Sequence, residues 1–249
     1  MREKLKTTLS AALLLAGTLT LASDHGTHWG YTGHNGPEHW GDISEKFRIC
    51  SIGMNQSPIN ITASIDADLP AIGFDYATAP AEILNNGHTV QVNVAEGSSI
   101  TIEGHTYALK QYHFHTPSEN HIHGKDFPLE AHFVHADAQG NLAVVGVMFV
   151  EGEENAELSQ LWAKMPMNAG EHNALHGEAK TLTNLIPSGR EYYRFNGSLT
   201  TPPCSEGVKW MVMKEPLSIS KAQVEKFSHA VHGTNNRPVQ PLNARVIAE

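Results

Sequence analysis

The chain has 249 residues, of which 40% are hydrophobic, and this length is enough to bury one sizeable core. Its formal net charge of −9 argues against nucleic acid as a partner, because phosphate binding needs an excess of Lys and Arg. Beyond the N-terminal stretch, no run approaches the roughly 20 apolar residues that a membrane span requires.

The N-terminus has the pattern of a secretory signal peptide. A basic start is followed by an apolar stretch at residues 9–21 and by small residues near Ala22. We therefore predict cleavage near Ala22, which removes residues 1–22 and leaves residues 23–249 as a single domain. The expected location is periplasmic or secreted. Removal of this segment, whose net charge is +2, leaves about −11.

The next part of the chain, residues 23–41, shows little periodicity and is predicted to lie irregularly over a core. Short apolar or alternating runs then predict strands, with turns at Asn86-Gly87 and Glu103-Gly104 between the early ones. These runs cover residues 83–84, 90–94, 100–102, 111–115, 129–133, 142–150 and 208–213.

Helical periodicity is limited to residues 156–164 and 220–228, the second with Ser218 or Ser220 as its cap. The predicted fold is therefore mainly β. We expect a single domain built on a large central twisted, mostly antiparallel sheet, with a few short helices on its surface.

Two histidine-bearing strands predict a metal site. Side chains two residues apart in a strand share a face, so Gln111, His113 and His115 line one surface. Glu130 and His132 repeat this pattern and are expected on a neighbouring strand. Three neutral imidazoles with an open fourth position are typical of catalytic zinc, whereas a closed structural site has four protein ligands. Gln111 and Glu130 can accept a hydrogen bond from the second ring nitrogen of a ligand.

Most of the 16 histidines need another explanation. His121 and His123 have the same spacing as His113 and His115, but their surroundings read as a loop, so we expect no common face and no metal. His135 follows His132 by three residues and should point to the opposite face of the strand, where a structural role is expected.

Cys50 and Cys204 are the only cysteines. An even number in an exported chain favours a disulfide, although two separate buried thiols remain the alternative. A bridge would close a loop of about 150 residues, and the chain-entropy model assigns roughly 5 kcal/mol to such a loop.

The chain resembles the α-class carbonic anhydrases, in particular their bacterial secreted branch. The resemblance extends from about residue 28 to 245 and rests on motifs in the family's order. Besides the two histidine motifs, these are Trp29-Gly30-Tyr31, Asn35-Gly36-Pro37-Glu38-His39-Trp40, Gln56-Ser57-Pro58-Ile59, Asn85-Asn86-Gly87-His88, Ser198-Leu199-Thr200-Thr201-Pro202-Pro203-Cys204 and Arg237-Pro238-Val239-Gln240-Pro241.

The resemblance implies a lyase with one Zn²⁺ per chain, held by His113, His115 and His132. Its substrates would be carbon dioxide and water and its product bicarbonate, formed by attack of zinc-bound hydroxide. Thr200 would orient that hydroxide by donating its own proton to Glu119.

Further site residues follow from the same resemblance. His88 would export the proton through ordered water, and the carbonyl of Asn235 would orient His115. The water would be ordered by Tyr31, Asn86 and Gln91. The substrate pocket would be formed by Val134, Val144, Leu199, Thr201, Val208 and Trp210.

The resemblance also implies cis bonds at Ser57-Pro58 and Pro202-Pro203. Asn236 departs from the tryptophan that many family members carry before Arg-Pro, which affects local packing rather than the chemistry. Two alternative functions fit the same residues: a non-catalytic zinc-binding or recognition module with the same fold, and a zinc hydrolase acting on esters. A homodimer and a different divalent metal are both compatible with the sequence.

Overall fold

A computed structural model describes residues 28–175 and 182–249, so the predicted signal peptide and its cleavage site lie outside the described residues. The described part is mainly β, as predicted. Its strands are β1 Asn60–Ile61, β2 Gly73–Asp75, β3 Pro80–Asn85, β4 Val90–Val94, β5 Ser99–Ile102, β6 His105–His115, β7 His121–Ile122, β8 Leu129–Ala136, β9 Leu142–Glu151, β10 His172–Ala174, β11 Tyr192–Ser198, β12 Glu206–Met213 and β13 Leu217–Ile219.

Eleven of these strands form one sheet, in which eight follow the spatial order β10-β3-β4-β6-β8-β9-β12-β11. Neighbours are antiparallel except where β12 and β13 pair with β9 in parallel. The continuous apolar run of β9 fits its place near the middle, because residues 143–149 are buried on both faces of the sheet. The prediction of a large, mostly antiparallel sheet is therefore confirmed.

An apolar cluster packs against each face of the sheet. Tyr112 and Phe114 of β6 pack on one side against Trp162 and Phe227 from two surface helices. A smaller cluster that includes Trp210 lies on the other side. Because side chains alternate along a strand, Tyr112 and Phe114 face the larger cluster, whereas His113 and His115 lie on the opposite face.

The α-helices are short: α1 Trp40–Ile43, α2 Ile49–Ile52, α3 Ala156–Trp162 and α4 Lys221–Ala230. Ser220 begins α4 through a capping box with Gln223, so the cap is Ser220 rather than Ser218. Relative to the prediction, α3 ends two residues earlier and α4 extends two residues further. The described residues contain no helix that is both long and apolar enough to cross a membrane.

The N-terminal segment is anchored beside a disulfide. Cys50 and Cys204 are bonded across a sequence separation of 154, and both pack against the buried ring of Trp40. The Ser57-Pro58 and Pro202-Pro203 bonds are cis, as the sequence resemblance implied. Thr116-Pro117 is also cis, which the sequence did not indicate.

Candidate metal centre and cavity

Three histidines converge on the face of the sheet opposite the larger apolar cluster. In the antiparallel pair of β6 and β8, His113 lies directly opposite His132, and His115 lies opposite Glu130. One ring nitrogen from each histidine lies within 4.8 Å of the others. The edge of the Trp210 ring packs against His132 at a centroid distance of 4.9 Å. The strand register therefore assembles the cluster that the sequence predicted.

The second ring nitrogen of each histidine faces an oxygen acceptor. His113 Nδ1 lies 2.8 Å from Gln111 Oε1, and His115 Nδ1 lies 2.7 Å from the carbonyl oxygen of Asn235. These oxygens only accept, so both Nδ1 atoms carry the proton and each Nε2 keeps a free lone pair.

The third histidine places its other ring nitrogen close to an oxygen, although the geometry is not that of a hydrogen bond. His132 Nε2 lies 3.0 Å from Glu130 Oε1, which leaves Nδ1 to face the cluster. Among the described residues, the buried His115 Nε2 has no hydrogen-bond partner. A buried lone pair without a partner is costly, and a metal ion would satisfy it.

Burial favours the neutral form of His113 and His115. Burial, followed by the proximity of His115 and His132, places the pKa of His113 well below its usual value. Burial likewise lowers the pKa of His115 to about 4. Neutral imidazole is the form that binds a metal, so a cluster of three imidazoles with an open fourth side fits a zinc ion.

Glu130 is a fully buried carboxylate with a complete set of donors. It accepts hydrogen bonds from the backbone amides of Glu119 at 2.8 Å and Asn120 at 2.9 Å, and from the Asn120 side chain at 2.8 Å. Burial opposes its ionisation, but His132 and these donors outweigh burial and lower the pKa of Glu130. Asn120 was not recognised in the sequence, where it carried no motif of its own.

Glu119 lies close to the clustered histidines on one side and to Arg237 on the other. Its Oε1 accepts the backbone N–H of Arg237 at 2.9 Å, and its Oε2 lies 3.4 Å from His115 Nε2. Burial raises the pKa of Glu119 to about 7, an effect partly offset by His132 and by the adjoining Thr200 hydroxyl. A cation held by the histidines would lower this pKa further and favour the ionised, hydrogen-bond-accepting form.

Asn235 connects the cluster to two other segments. Its side-chain oxygen accepts the amide of Thr116 at 2.8 Å, and its side-chain nitrogen donates to the carbonyls of Phe114 at 2.9 Å and His88 at 3.1 Å. Asn235 is 1% exposed, and it makes these hydrogen bonds although the neighbouring Asn236 departs from the tryptophan of many family members.

Two cavities meet at the histidines. The first, called the polar cavity because most of its lining residues are polar, has a volume of about 130 Å³ and contains the four residues assigned to the proton path together with Thr201. Trp29 and Thr89 also line it, and neither was predicted to do so. Trp29 belongs to the motif Trp29-Gly30-Tyr31, which could have indicated its place beside the site. The lining residues are Trp29, Tyr31, Asn86, His88, Thr89, Gln91, Gln111, His113, His115 and Thr201.

The second cavity, called the apolar cavity because it has more apolar side chains in its lining, has a volume of about 110 Å³ and reaches His132 and Thr200. Five of the six predicted pocket residues line it, namely Val134, Val144, Leu199, Thr201 and Trp210. The sixth, Val208, is buried in the same apolar cluster as Trp210 and is not among the residues that line this cavity. A larger depression of about 640 Å³ between Asp68 and Lys214 contains none of the three clustered histidines.

His88 lies at the mouth of the polar cavity. Its ring stacks on Trp29 with a centroid distance of 3.7 Å and an angle of 7° between the planes. Burial, and then the nearby His28, lower the pKa of His88.

The two histidine alternatives lie apart from the cluster. His121 belongs to the short strand β7, paired in parallel with β1, so the expectation of a loop at this residue was wrong. His123 adopts a positive φ of 51°, and neither residue joins the metal cluster. His135 lies on the opposite face of β8, where its ring contacts Tyr76.

Comparisons with known proteins agree with this geometry. The family described as eukaryotic-type carbonic anhydrase matches residues 35–249. A carbonic anhydrase from Neisseria gonorrhoeae is 53% identical over 244 residues, which cover 97% of this chain and 96% of that protein. One from Klebsiella pneumoniae is 49% identical over 247 residues, covering 98% and 100% respectively.

Solved structures show the same relationship. The α-carbonic anhydrase from Thermovibrio ammonificans, solved with the inhibitor sulfanilamide, superimposes with a TM-score of 0.87 at 48% identity, covering 90% of this chain and all of that one. The family match over residues 35–249 includes the three clustered histidines and both cysteines of the disulfide. The chain therefore belongs to the eukaryotic-type, or α-class, carbonic anhydrase family.

Proposed function

We propose that this chain catalyses the reversible hydration of carbon dioxide to bicarbonate and a proton, with one zinc ion held by His113, His115 and His132. The observation that carries the proposal is the convergence of three imidazoles, each with its second ring nitrogen 2.7–3.0 Å from an oxygen. A zinc ion at such a site lowers the pKa of a bound water toward neutrality and so supplies a hydroxide nucleophile.

Thr200 and Glu119 orient the nucleophile. The Thr200 hydroxyl adjoins the Glu119 carboxylate, which in its ionised form only accepts hydrogen bonds. Thr200 must therefore donate its proton to Glu119, and its oxygen is left to accept a hydrogen bond from the nucleophile's O–H. This directs a lone pair of the nucleophile toward the apolar cavity.

The apolar cavity suits carbon dioxide. The substrate is small and carries no charge, so side chains such as Val134, Val144 and Leu199 can surround it without leaving a polar group unpaired. Its volume of about 110 Å³ admits a molecule of this size beside the histidines.

Proton export is assigned to His88 through cavity water. An imidazole titrates near neutral pH, and His88 shares the polar cavity with His113. Tyr31, Asn86 and Gln91 line the same cavity and offer hydrogen-bonding groups to this water. The disulfide between Cys50 and Cys204 supports function in an oxidising compartment, periplasmic or extracellular.

The test is a stopped-flow pH-indicator assay on the zinc-loaded mature chain, combined with metal analysis of the same sample. We expect one zinc per chain and hydration well above the buffer rate. His132→Ala should lose both, whereas His105→Ala, which removes an exposed imidazole from the same pair of strands, should keep both. Stoichiometric zinc without hydration would refute catalysis and favour a non-catalytic binding module.

A further inference from the structure

A row of polar side chains crosses the sheet from the cavity to its edge. Gln91 and Asn93 of β4 lie opposite His113 and Gln111 of β6, on the face that carries the metal ligands. The row continues through Glu82 of β3, which pairs with Asn93, and ends at the edge strand β10.

These side chains form an unbroken hydrogen-bonded chain. Gln91 Nε2 donates to Asn93 Oδ1 at 2.8 Å, and Asn93 Nδ2 donates to Glu82 Oε2 at 2.9 Å. At the far end, His172 Nδ1 lies 2.6 Å from Glu82 Oε1. The hydrogen bond from His172 is the largest of the causes that lower the pKa of Glu82, and Asn93 is the next.

The charge on Glu82 sets the direction of the whole chain. An ionised carboxylate only accepts, so Asn93 must turn its NH₂ group toward Glu82. Its carbonyl oxygen then faces Gln91, which must donate in turn. Gln91 Oε1 remains, and among the described residues it has no hydrogen-bond partner. Since Gln91 lines the polar cavity, this oxygen is available to cavity water.

Asn86 presents the opposite group to the same cavity. Its side-chain oxygen accepts the backbone amides of His88 and Thr89, both at 2.9 Å, so its NH₂ group is left for water. The walls around His88 thus offer a donor from Asn86 and an acceptor from Gln91. A water molecule that bonds to both is held in one orientation, and directed proton transfer through water needs such an orientation.

We propose that Glu82, held by His172, is a positioning residue for proton export: it fixes the direction of the Asn93 and Gln91 amides and so keeps a hydrogen-bond acceptor facing the cavity water. The inference rests on the proposed function, because it concerns the regeneration of the hydration catalyst. It adds residues at the outer edge of the sheet that do not themselves line the cavity.

The decisive variant is Glu82→Gln, because a neutral amide can either donate or accept and lets the chain reverse. Hydroxide regeneration follows carbon dioxide attack, so it affects kcat but not kcat/KM. In dilute buffer we expect kcat to fall by about two- to tenfold, the equivalent of one hydrogen bond, with kcat/KM unchanged and with recovery in concentrated imidazole. Glu171→Gln is the matched control, since among residues 28–175 and 182–249 its carboxylate accepts hydrogen bonds from Asn168 alone.

Two further measurements test the route through Asn93. Asn93→Leu should reproduce the kcat defect, and the double variant Glu82→Gln/Asn93→Leu should be no slower than Asn93→Leu alone. A neutron structure of the parent should show the Gln91 amide nitrogen toward Asn93 and its oxygen toward the cavity. This readout does not depend on activity.

Several outcomes would overturn the inference. These are equal kcat values for Glu82→Gln and the parent, an equal fall in kcat/KM, additive defects in the double variant, or a Gln91 nitrogen facing the cavity. An inactive parent would instead refute the proposed function, and the neutron structure would still decide the direction of the chain.

Discussion

Acidification should destabilise this fold through His135, a buried histidine outside the metal cluster. Its Nδ1 lies 3.2 Å from the carbonyl oxygen of Ala143, so this nitrogen carries the proton, and its Nε2 accepts from the Tyr76 hydroxyl at 2.9 Å. The ring is 0% exposed. Burial lowers the pKa of His135 to about 4, despite hydrogen bonds to Ala143 and Phe133 that act in the opposite sense.

The magnitude follows from linkage. In the unfolded chain a histidine titrates near its usual 6.5, so between pH 6.5 and 4 the unfolded state binds more protons than the folded state. The stabilisation is complete above pH 6.5 and is lost as the pH falls toward 4. From pH 7.5 to 5.0 the contribution of His135 to the free energy of unfolding should fall by about 2 kcal/mol.

Urea unfolding of the parent and of His135→Gln at pH 7.5 and 5.0 measures this effect. Glutamine keeps a donor and an acceptor but does not titrate, so the variant should lose about 2 kcal/mol less than the parent between the two pH values. Titration of the metal ligands is common to both proteins and cancels in the difference. His105→Gln, which replaces an exposed imidazole, should follow the parent. Equal losses in parent and His135→Gln would refute the reasoning.

Three further outcomes are expected. Replacing Cys50 and Cys204 by Ala should lower the free energy of unfolding in urea by about 5 kcal/mol, because the bridge closes a loop with a sequence separation of 154; a loss below 1 kcal/mol would contradict this. Glu130→Gln should weaken zinc binding by about 10- to 100-fold in chelator competition, because it removes the charge beside His132; unchanged affinity would contradict this. Thr200→Val should lower kcat/KM by about 100-fold, with zinc content unchanged; a similar loss in Thr201→Val would show that the effect is not specific.

Much of the site could be predicted because it depends on local periodicity. Residues two apart in a strand share a face whatever the strand's neighbours, so Gln111, His113 and His115 were grouped correctly from the sequence alone. The same rule correctly predicted that His135 lies on the opposite face of β8 from His132. The short strand at His121 was missed because two residues show no period and their pairing partner, β1, is far away in the chain.

The family resemblance did not predict every residue that lines the cavities. Val208 lies on the same face of β12 as Trp210, but whether a side chain lines the cavity or packs only within the apolar cluster depends on the neighbouring elements. Trp29 was visible as part of a motif, yet only the structure brings its ring against His88.

The sequence by itself determined the ligand types and the faces of the strands, since each depends on residues within one strand. The helix cap, left open between Ser218 and Ser220, and the distant groups that complete the site depended on the tertiary structure. Asn235, which only the family resemblance assigned to His115, reaches it across 120 residues, and His172 reaches Glu82 across 90. Such contacts arise from strand order and register, which are set by the packing of the whole sheet rather than by any local pattern.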